Sequence, residues 1–250
     1  MAFSKVVIVT GGSRGIGAET AKLFARHGYA VCINYLANDE AAENVKRKII
    51  QSGGQCIAIK ADVSKEQDVK RLFETVDAEL GCASVLVNNA AILKTQCRLD
   101  EISAERFSEI MNVNVMSCFL CSKEAVKRMS RKYGGVGGAI VNVSSGAAKS
   151  GSPNEYIDYA ASKGAMDTLT RGLASEVAAE GIRVNGVRPG LIYTDMHASG
   201  GEPGRVDRLK SKIPLQRGGE AKEIAEAIFW LASDKSSFVT GSFIDAAGGL

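Results

Sequence analysis

The chain has 250 residues, of which 45 % are hydrophobic and 24 % charged, a composition typical of a globular protein with one large α/β domain or two small ones. A net charge of +3 is too small to favour nucleic acid or a membrane surface as a partner. No apolar run approaches the ~20 residues of a membrane-spanning helix, and residues 1–5 lack the architecture of an export signal. We therefore expect a cytoplasmic protein whose six scattered cysteines are reduced.

Short β-branched runs alternate with amphipathic segments from one end of the chain to the other. The predicted strands are residues 5–10, 30–35, 56–60, 85–88, 139–144, 183–187 and 242–245. The predicted helices are residues 15–27, 39–51, 65–80, 104–132, 154–179 and 221–232. Apolar strands that alternate with helices imply parallel pairing through right-handed crossovers. The pattern predicts an α/β fold, a Rossmann-like doubly wound parallel sheet of about seven strands with helices on both faces, in a single domain over residues 1–250.

A glycine-rich turn follows the first predicted strand and opens the first helix. It consists of Thr10, Gly11, Gly12, Ser13, Arg14, Gly15, Ile16 and Gly17. Glycines in such a turn let the backbone approach a pyrophosphate at the helix N-terminus. A P-loop would need a lysine after Gly17, where Ala18 stands. The same letters also match the Gly-x-Ser-x-Gly motif of hydrolases, with Ser13 as nucleophile and His197 as the conceivable base.

Tyr159 and Lys163 lie four residues apart in a predicted helix, so their side chains share one face. A free tyrosine has a pKa of roughly 10 and is a poor acid or base at neutral pH. An ammonium group held close favours the phenolate, so we expect Lys163 to lower the pKa of Tyr159. The spacing alone is common on helices, but the pair indicates a proton donor for an alcohol or a ketone.

These motifs are part of a longer series in which the chain resembles the short-chain dehydrogenase/reductases over about residues 5–249. The matching segments are the glycine turn, Asp62-Val63, Asn88-Asn89-Ala90, Asn114, Ser144-Ser145, Tyr159 with Lys163, Pro189-Gly190 with Thr194, and Thr240-Gly241. Each segment is short, and the resemblance rests on their order and spacing. The chain departs from the family at Ala91, where a glycine is usual and one added methyl group would lie near the cofactor.

The resemblance implies hydride transfer with four catalytic residues and no metal. Tyr159 would exchange the proton of the substrate hydroxyl, and Lys163 would lower its pKa and hold the nicotinamide ribose. Ser145, the second of two adjacent serines, would hydrogen-bond the substrate oxygen. Asn114 would anchor a water that links Lys163 to solvent.

The resemblance also implies a set of cofactor-binding residues. The glycine turn would bind the pyrophosphate, Asp62 and Val63 would contact the adenine, and Asn88 and Ala90 would flank the adenosine side. The expected cofactor residues are Gly11, Ser13, Arg14, Gly15, Ile16, Gly17, Tyr35, Asn38, Asp62, Val63, Asn89, Ala90, Tyr159, Lys163, Pro189, Gly190, Ile192 and Thr194.

The end of the second predicted strand favours NADP over NAD. A carboxylate there would grip the ribose 2′-hydroxyl and repel a 2′-phosphate, but the position holds Tyr35. The nearest acidic residues lie further on, where they begin the next helix. Arg14 in the glycine turn is placed to pair with the phosphate, and Ser13 and Asn38 would add hydrogen bonds.

The motifs predict a carbonyl or secondary alcohol substrate without identifying it. The candidate substrate residues are Tyr156, Tyr193, Met196 and His197, three of them in an irregular segment at 192–219 that we expect to form a lid. The chain looks most like bacterial oxidoreductases related to 3-oxoacyl-carrier-protein reductases and glucose dehydrogenases. The docking arginine of the former is replaced by Ser175. Such relatives are commonly homo-tetramers, so we expect a homo-tetramer or a dimer.

Two alternatives of other classes remain open. In the first, the chain is a dinucleotide-binding regulator without turnover. In the second, it is a serine hydrolase that uses Ser13. Cys118 and Cys121 have the spacing of a redox pair, but they lie inside a predicted helix with no second pair at metal-ligand spacing. We expect both cysteines to be buried or interface thiols.

Overall fold

The computed structural model describes residues 5–250, and Met1 to Ser4, part of the segment in which we found no export signal, lie outside the described residues. The strands are β1 (Val6–Val9), β2 (Ala30–Tyr35), β3 (Gln55–Lys60), β4 (Ala83–Asn88), β5 (Gly138–Val143), β6 (Ile182–Pro189), β7 (Ile192–Tyr193), β8 (Gly219–Glu220) and β9 (Phe243–Ala246). The helices are α1 (Gly15–Arg26), α2 (Asp39–Gln51), α3 (Glu66–Glu79), α4 (Ala104–Met111), α5 (Ser117–Met129), α6 (Ala147–Ser150), α7 (Ile157–Val177), α8 (Met196–Ser199), α9 (Arg205–Leu209) and α10 (Ala221–Ala232).

Seven of the strands form one parallel sheet in the order β3-β2-β1-β4-β5-β6-β9, and this confirms the predicted doubly wound fold. The order reverses direction between β1 and β4, so a crevice forms at the carboxyl ends of these strands. β7 and β8 make a separate two-stranded parallel pair outside this sheet.

Two hydrophobic layers cover the sheet. On one face Phe24 of α1 and Ile228 of α10 pack against Val9. On the other face Phe73 of α3 packs with residues of α5 and α7 against Ile8. The neighbours Ile8 and Val9 face opposite layers because side chains alternate along a strand. Each fully buried phenylalanine contributes about 1.5–3 kcal/mol through removal of its surface from water.

Local capping explains why α2 begins where the sequence predicts. The Asn38 side-chain oxygen accepts a hydrogen bond from the Ala41 N–H at 2.8 Å, and Asp39 and Glu40 lie in the first turn. Both features satisfy or complement the positive end of a helix.

The structure corrects two predicted elements. The helix predicted over 104–132 is α4, a π-helical turn at Asn112–Met116 and α5 in succession. The segment predicted to be irregular, 192–219, contains α8, α9 and the strands β7 and β8. Among residues 5–250, none of the helices combines the length and the apolar character needed to cross a membrane.

Candidate active site

A cavity of about 760 Å³ opens at the carboxyl ends of the central strands. Many of the predicted site residues line it: Ile16, Asn89, Ser145, Tyr156, Tyr159, Lys163, Pro189, Gly190, Ile192, Thr194, Met196 and His197. Ala91 also lines this cavity. The fold therefore gathers residues from five separate parts of the sequence at the crevice where open parallel sheets bind ligands.

Tyr159 and Lys163 lie on the buried face of α7, 8 % and 2 % exposed. The Lys163 ammonium is 5.6 Å from the centre of the Tyr159 ring, and it donates a hydrogen bond to the Val143 carbonyl at 2.7 Å. Burial raises the pKa of Tyr159 to about 12, against an opposing effect of the Ser145 side chain, and burial lowers the pKa of Lys163 to about 8. The expected lowering of the tyrosine pKa is therefore wrong for this state of the site, because removal from water disfavours the phenolate.

The two adjacent serines after β5 have different environments. Ser144 is buried, and its hydroxyl donates to Asp167 at 2.6 Å. The Ser145 oxygen accepts a hydrogen bond from the Ala147 N–H at 3.1 Å, which leaves its hydroxyl proton available. Because the Ser144 hydroxyl is engaged with Asp167, Ser145 is the serine whose side chain acts on the Tyr159 hydroxyl.

Asn114 is fully buried in the π-helical turn. Its amide nitrogen donates to the Ile92 carbonyl at 3.1 Å and to the Ser162 hydroxyl at 3.0 Å, and its oxygen accepts from the Ile92 N–H at 2.8 Å. Ser162 directly precedes Lys163 on α7. The side chain of Asn114 therefore fixes the distance between the π-helical turn and α7, and π-helical turns frequently mark functional sites.

The glycine turn has the backbone conformation that its sequence predicts. Gly11 and Gly15 have φ of +63° and +52°, values that residues other than glycine rarely adopt. A Cβ on Gly17 would lie 2.4 Å from the Gly11 carbonyl oxygen, and Asn89 donates to that same oxygen at 3.1 Å. Because α1 has neither a side-chain cap at Arg14 nor an acidic residue in its first turn, its N–H groups remain free for an anion. The turn thus fits a pyrophosphate.

At the expected adenine end, Asp62 accepts hydrogen bonds from the Ser64 N–H at 3.1 Å and the Ser64 hydroxyl at 2.7 Å. Val63 is buried against the core. The prediction for Asn88 is wrong: its side chain points inward and donates to Asn142 at 2.8 Å. The N–H of Ala90 donates to the Thr10 hydroxyl at 3.0 Å.

Near the end of β2, Arg14 is exposed, and its side chain has no hydrogen bond or ion pair with residues 5–250. The Tyr35 hydroxyl donates to Asp39 at 2.9 Å, and Lys60 pairs with the same carboxylate at 3.0 Å. These two contacts hold the pKa of Asp39 below its usual value. The nearest carboxylate is therefore engaged, whereas the Arg14 guanidinium is free.

At the substrate end, three of the four predicted residues line the cavity and one does not. Tyr193 is 40 % exposed, and its hydroxyl donates to Asp207 at 2.9 Å, so its assignment to the substrate site is wrong. No sequence signal marks Arg205, because α9 lies in a stretch without clear periodicity. Arg205 lies 5.1 Å from the centre of the Tyr156 ring and pairs with Glu155, which ties α9 to the segment before α7.

The structure does not support the hydrolase motif at Ser13 or a redox role for the cysteine pair. Ser13 is not among the residues that line the cavity, whereas His197 lines it and hydrogen-bonds the Ile192 carbonyl through Nε2 at 3.1 Å. A nucleophile and its base must lie within hydrogen-bond reach, and Ser13 and His197 have no hydrogen bond with each other. Cys118 and Cys121 are buried thiols in α5, and burial raises the pKa of both.

A parallel sheet in this strand order, with a glycine turn at its switch point, is the architecture of the Rossmann-type proteins. The model of a family described as enoyl-(acyl carrier protein) reductase matches residues 11–250. An uncharacterized oxidoreductase of Escherichia coli, YgfF, is 60 % identical over 98 % of this chain and 99 % of its own length. The 3-oxoacyl-(acyl-carrier-protein) reductase FabG of Staphylococcus epidermidis is 36 % identical over 99 % of both chains.

Solved structures agree with these relatives. A short-chain dehydrogenase/reductase variant of Serratia marcescens superposes with a TM-score of 0.90 at 32 % identity, over 100 % of this chain and 99 % of that one. A blue fluorescent protein from a metagenomic library, solved in complex with NADPH, gives 0.89 at 33 % identity, over 98 % and 97 %. The chain belongs to the short-chain dehydrogenase/reductase family and is an oxidoreductase.

Proposed function

We propose that this chain transfers hydride between NADP and the carbon of a carbonyl or secondary alcohol, with Tyr159 as general acid and base. The observation that carries the proposal is the convergence of Ser145, Tyr159 and Lys163 on one cavity that the glycine turn adjoins through Ile16. The name of the Staphylococcus epidermidis reductase and the NADPH complex of the metagenomic protein support the same chemistry.

The bound cofactor would supply the hydride donor or acceptor. The free N–H groups at the start of α1 would hold its pyrophosphate. Pro189, Gly190, Ile192 and Thr194 line the cavity next to the catalytic residues, so they would hold the nicotinamide end. Asp62, Val63, Asn89 and Ala90 would bind the adenosine side.

In the reduction direction, the Tyr159 hydroxyl would give its proton to the substrate oxygen. A pKa of about 12 keeps this phenol protonated at neutral pH, and the phenol would become an effective acid only when positive charge beside it stabilises the phenolate. The Lys163 ammonium would stabilise the phenolate as it forms, and the Ser145 hydroxyl would donate a hydrogen bond to the same substrate oxygen while keeping its proton. Asn114 would anchor a water that returns protons to Lys163, and its hydrogen bond to Ser162 holds it next to the residue that precedes this lysine.

A screen for turnover tests this function. Purified protein is incubated with NADPH and a panel of ketones, aldehydes and acyl thioesters, and with NADP and a panel of secondary alcohols and sugars, while absorbance at the nicotinamide band is followed. We expect oxidation or reduction of the cofactor with at least one substrate. Tight NADPH binding without turnover over the whole panel would instead favour the regulator, and ester cleavage that is lost in Ser13→Ala would favour the hydrolase.

The preference for NADP rests on charge at the end of β2. Arg14 offers an unpaired guanidinium, and Ser13 precedes it in the same turn. Tyr35 ends β2 and Asn38 caps α2, and the Asn38 amide nitrogen is still free because only its oxygen makes the cap. A 2′-phosphate would gain a charge-assisted pair there, since Lys60 and Tyr35 already engage the nearest carboxylate.

We expect Arg14→Ala to lower kcat/KM for NADPH by about 10- to 100-fold and to change kcat/KM for NADH little, because one charge-assisted hydrogen-bond pair is lost. The measurement is initial-rate kinetics with both cofactors. Arg26→Ala is the matched control, since it removes an exposed cation from the other end of α1. Equal use of the two cofactors by the unmodified protein, or unchanged selectivity in Arg14→Ala, would contradict the NADP assignment.

The substrate side and the assembly stay predictions. Tyr156, Met196 and His197 line the cavity and would contact the substrate body. A homo-tetramer or dimer would cover apolar side chains that are exposed on α4, the π-helical turn and α5: Phe107, Met116 and Phe119. The cytoplasmic location also stays a prediction.

A further inference from the structure

Asp167 is a buried carboxylate that none of the roles above uses. It lies on α7 four residues after Lys163 and eight after Tyr159, so the three side chains share one face of the helix. Its side chain is 7 % exposed. A carboxylate removed from water to this extent is costly unless it is paired and hydrogen-bonded.

The partners of Asp167 come from two other strands of the sheet. One oxygen accepts the Ser144 hydroxyl at 2.6 Å, and Ser144 directly precedes Ser145 at the end of β5. The other accepts both Nε and Nη2 of Arg188, at 2.8 and 2.7 Å. Arg188 directly precedes the Pro189-Gly190 turn at the end of β6. One side chain on the catalytic helix therefore connects to the backbone next to the substrate serine and to that next to the nicotinamide turn.

The arginine is itself held on all sides. Its guanidinium stacks 3.9 Å from the centre of the Phe243 ring, and its Nη1 donates to Asp245 of β9 at 3.2 Å. Asp245 also accepts from Lys149 of α6 at 2.9 Å, and α6 begins two residues after Ser145. The series of contacts returns to the serine turn from its other side, so it forms a closed brace around that turn.

We propose that Asp167 is a positioning residue of this oxidoreductase: through Ser144 and Arg188 it holds the serine turn and the Pro189-Gly190 turn in register with Tyr159 and Lys163. The inference rests on the function proposed above. A misplacement of about 1 Å at a reacting group is enough to lower a rate about 100-fold, so a rigid brace of this kind has a direct effect on turnover.

The carboxylate also contributes charge to the site. The groups that face Lys163 are Tyr159 and Asp167 on its own helix and Cys118 on α5, and Asp167 favours the charged form of the lysine. Around Asp167 itself stand Ser144 directly after β5 and Arg188 on β6, with Asp245 beyond the arginine. Loss of the Asp167 charge would therefore also lower the pKa of Lys163.

Two variants test the brace. Asp167→Asn removes the charge and keeps the shape, and Ser144→Ala removes the hydrogen bond to the serine turn without touching the ion pair. For Asp167→Asn we expect kcat to fall about 10- to 100-fold, the dissociation constant for NADPH to rise by a smaller factor, and the alkaline limb of its pH–rate profile to move to lower pH. For Ser144→Ala we expect a smaller fall in kcat and an unmoved pH profile.

Glu124→Gln is the matched control. Glu124 is buried on α5 and pairs with Arg128 at 2.7 Å, and neither residue lines the cavity. It should lower the midpoint of thermal unfolding to a similar extent as Asp167→Asn but leave kcat unchanged. An unchanged kcat in both folded test variants, or an equal fall in the control, would overturn the positioning role.

Hydrogen–deuterium exchange separates failure of this inference from failure of the proposed function. In Asp167→Asn, but not in Glu124→Gln, we expect faster exchange at residues 144–147, where the Ser144 N–H donates to Val187 and the Gly146 N–H donates to Pro189. Protein without turnover on any substrate but with this local change would refute the function and keep the brace. Normal exchange in this segment of Asp167→Asn would refute the brace whether or not the wild type turns over.

Discussion

Replacement of Tyr159 by phenylalanine is expected to lower kcat/KM for any accepted carbonyl substrate by about 10²- to 10⁴-fold, the range of general acid catalysis. The change removes the proton donor and keeps the ring that packs with Leu93 and Tyr156. Because the substitution keeps the buried ring and its packing contacts, the variant should fold and bind NADPH. Steady-state kinetics, NADPH fluorescence titration and thermal unfolding measure the three properties.

Tyr29→Phe is the matched control for this prediction. Tyr29 is exposed to the same 8 % as Tyr159, but it packs against Phe24 and Phe229 on the other side of the molecule and does not line the cavity. It should keep full activity. A Tyr159→Phe protein that reduces substrate as fast as the wild type would show that another group supplies the proton.

Strands and helices that carry their own local signals were predictable from the sequence. The bounds of β2, α2 and α10 match the prediction to the residue. An apolar run with no polar alternation marks β2 as buried on both faces, and an asparagine cap followed by two acidic residues marks the start of α2. Each of these signals acts within a few residues, so it can be recognised without knowledge of the tertiary fold.

The π-helical turn around Asn114 could not be predicted in the same way. One widened turn barely changes the spacing of apolar residues in a long helix, so 104–132 has the pattern of a single element. What holds the widened turn is a set of hydrogen bonds to Ile92 and Ser162, 22 and 48 residues away. Contacts at that separation depend on how the sheet brings the segments together.

The residues of the site also divide into those that could be predicted from the sequence and those that could not. Residues whose roles depend on backbone conformation or position at a strand end, such as Gly11 and Ser145, could be placed by the resemblance. Side-chain direction could not: Asn88 points inward because the strand register pairs it with Asn142, and Tyr193 turns towards Asp207 on α9. The spacing of Tyr159, Lys163 and Asp167 was visible in the sequence, but the arginine that completes the brace is 21 residues further on.

Replacement of Lys163 by methionine is expected to have the second large effect, a fall in kcat of about 10²- to 10³-fold, because the charge that stabilises the developing phenolate is lost. In the wild type the ammonium is lost as pH rises through the Lys163 pKa of about 8, so the rate of carbonyl reduction should be level below pH 8 and fall above it. The residual rate of Lys163→Met should lack that limb. An identical alkaline limb in the variant would assign the limb to another group.

The same substitution should move stability in the opposite direction. The lysine pKa falls from 10.5 in the unfolded chain to about 8 in the folded one, so between these values the unfolded chain binds more protons and wild-type stability rises with pH. Below pH 8 the buried charge costs about 3 kcal/mol, partly offset by the hydrogen bond to Val143. Urea unfolding should therefore find Lys163→Met more stable than the wild type at pH 7 and lose that advantage towards pH 10.5. A difference that stays constant with pH would show that the lysine is not buried as a charged group, and with it the electrostatic role assigned to Lys163 would fail.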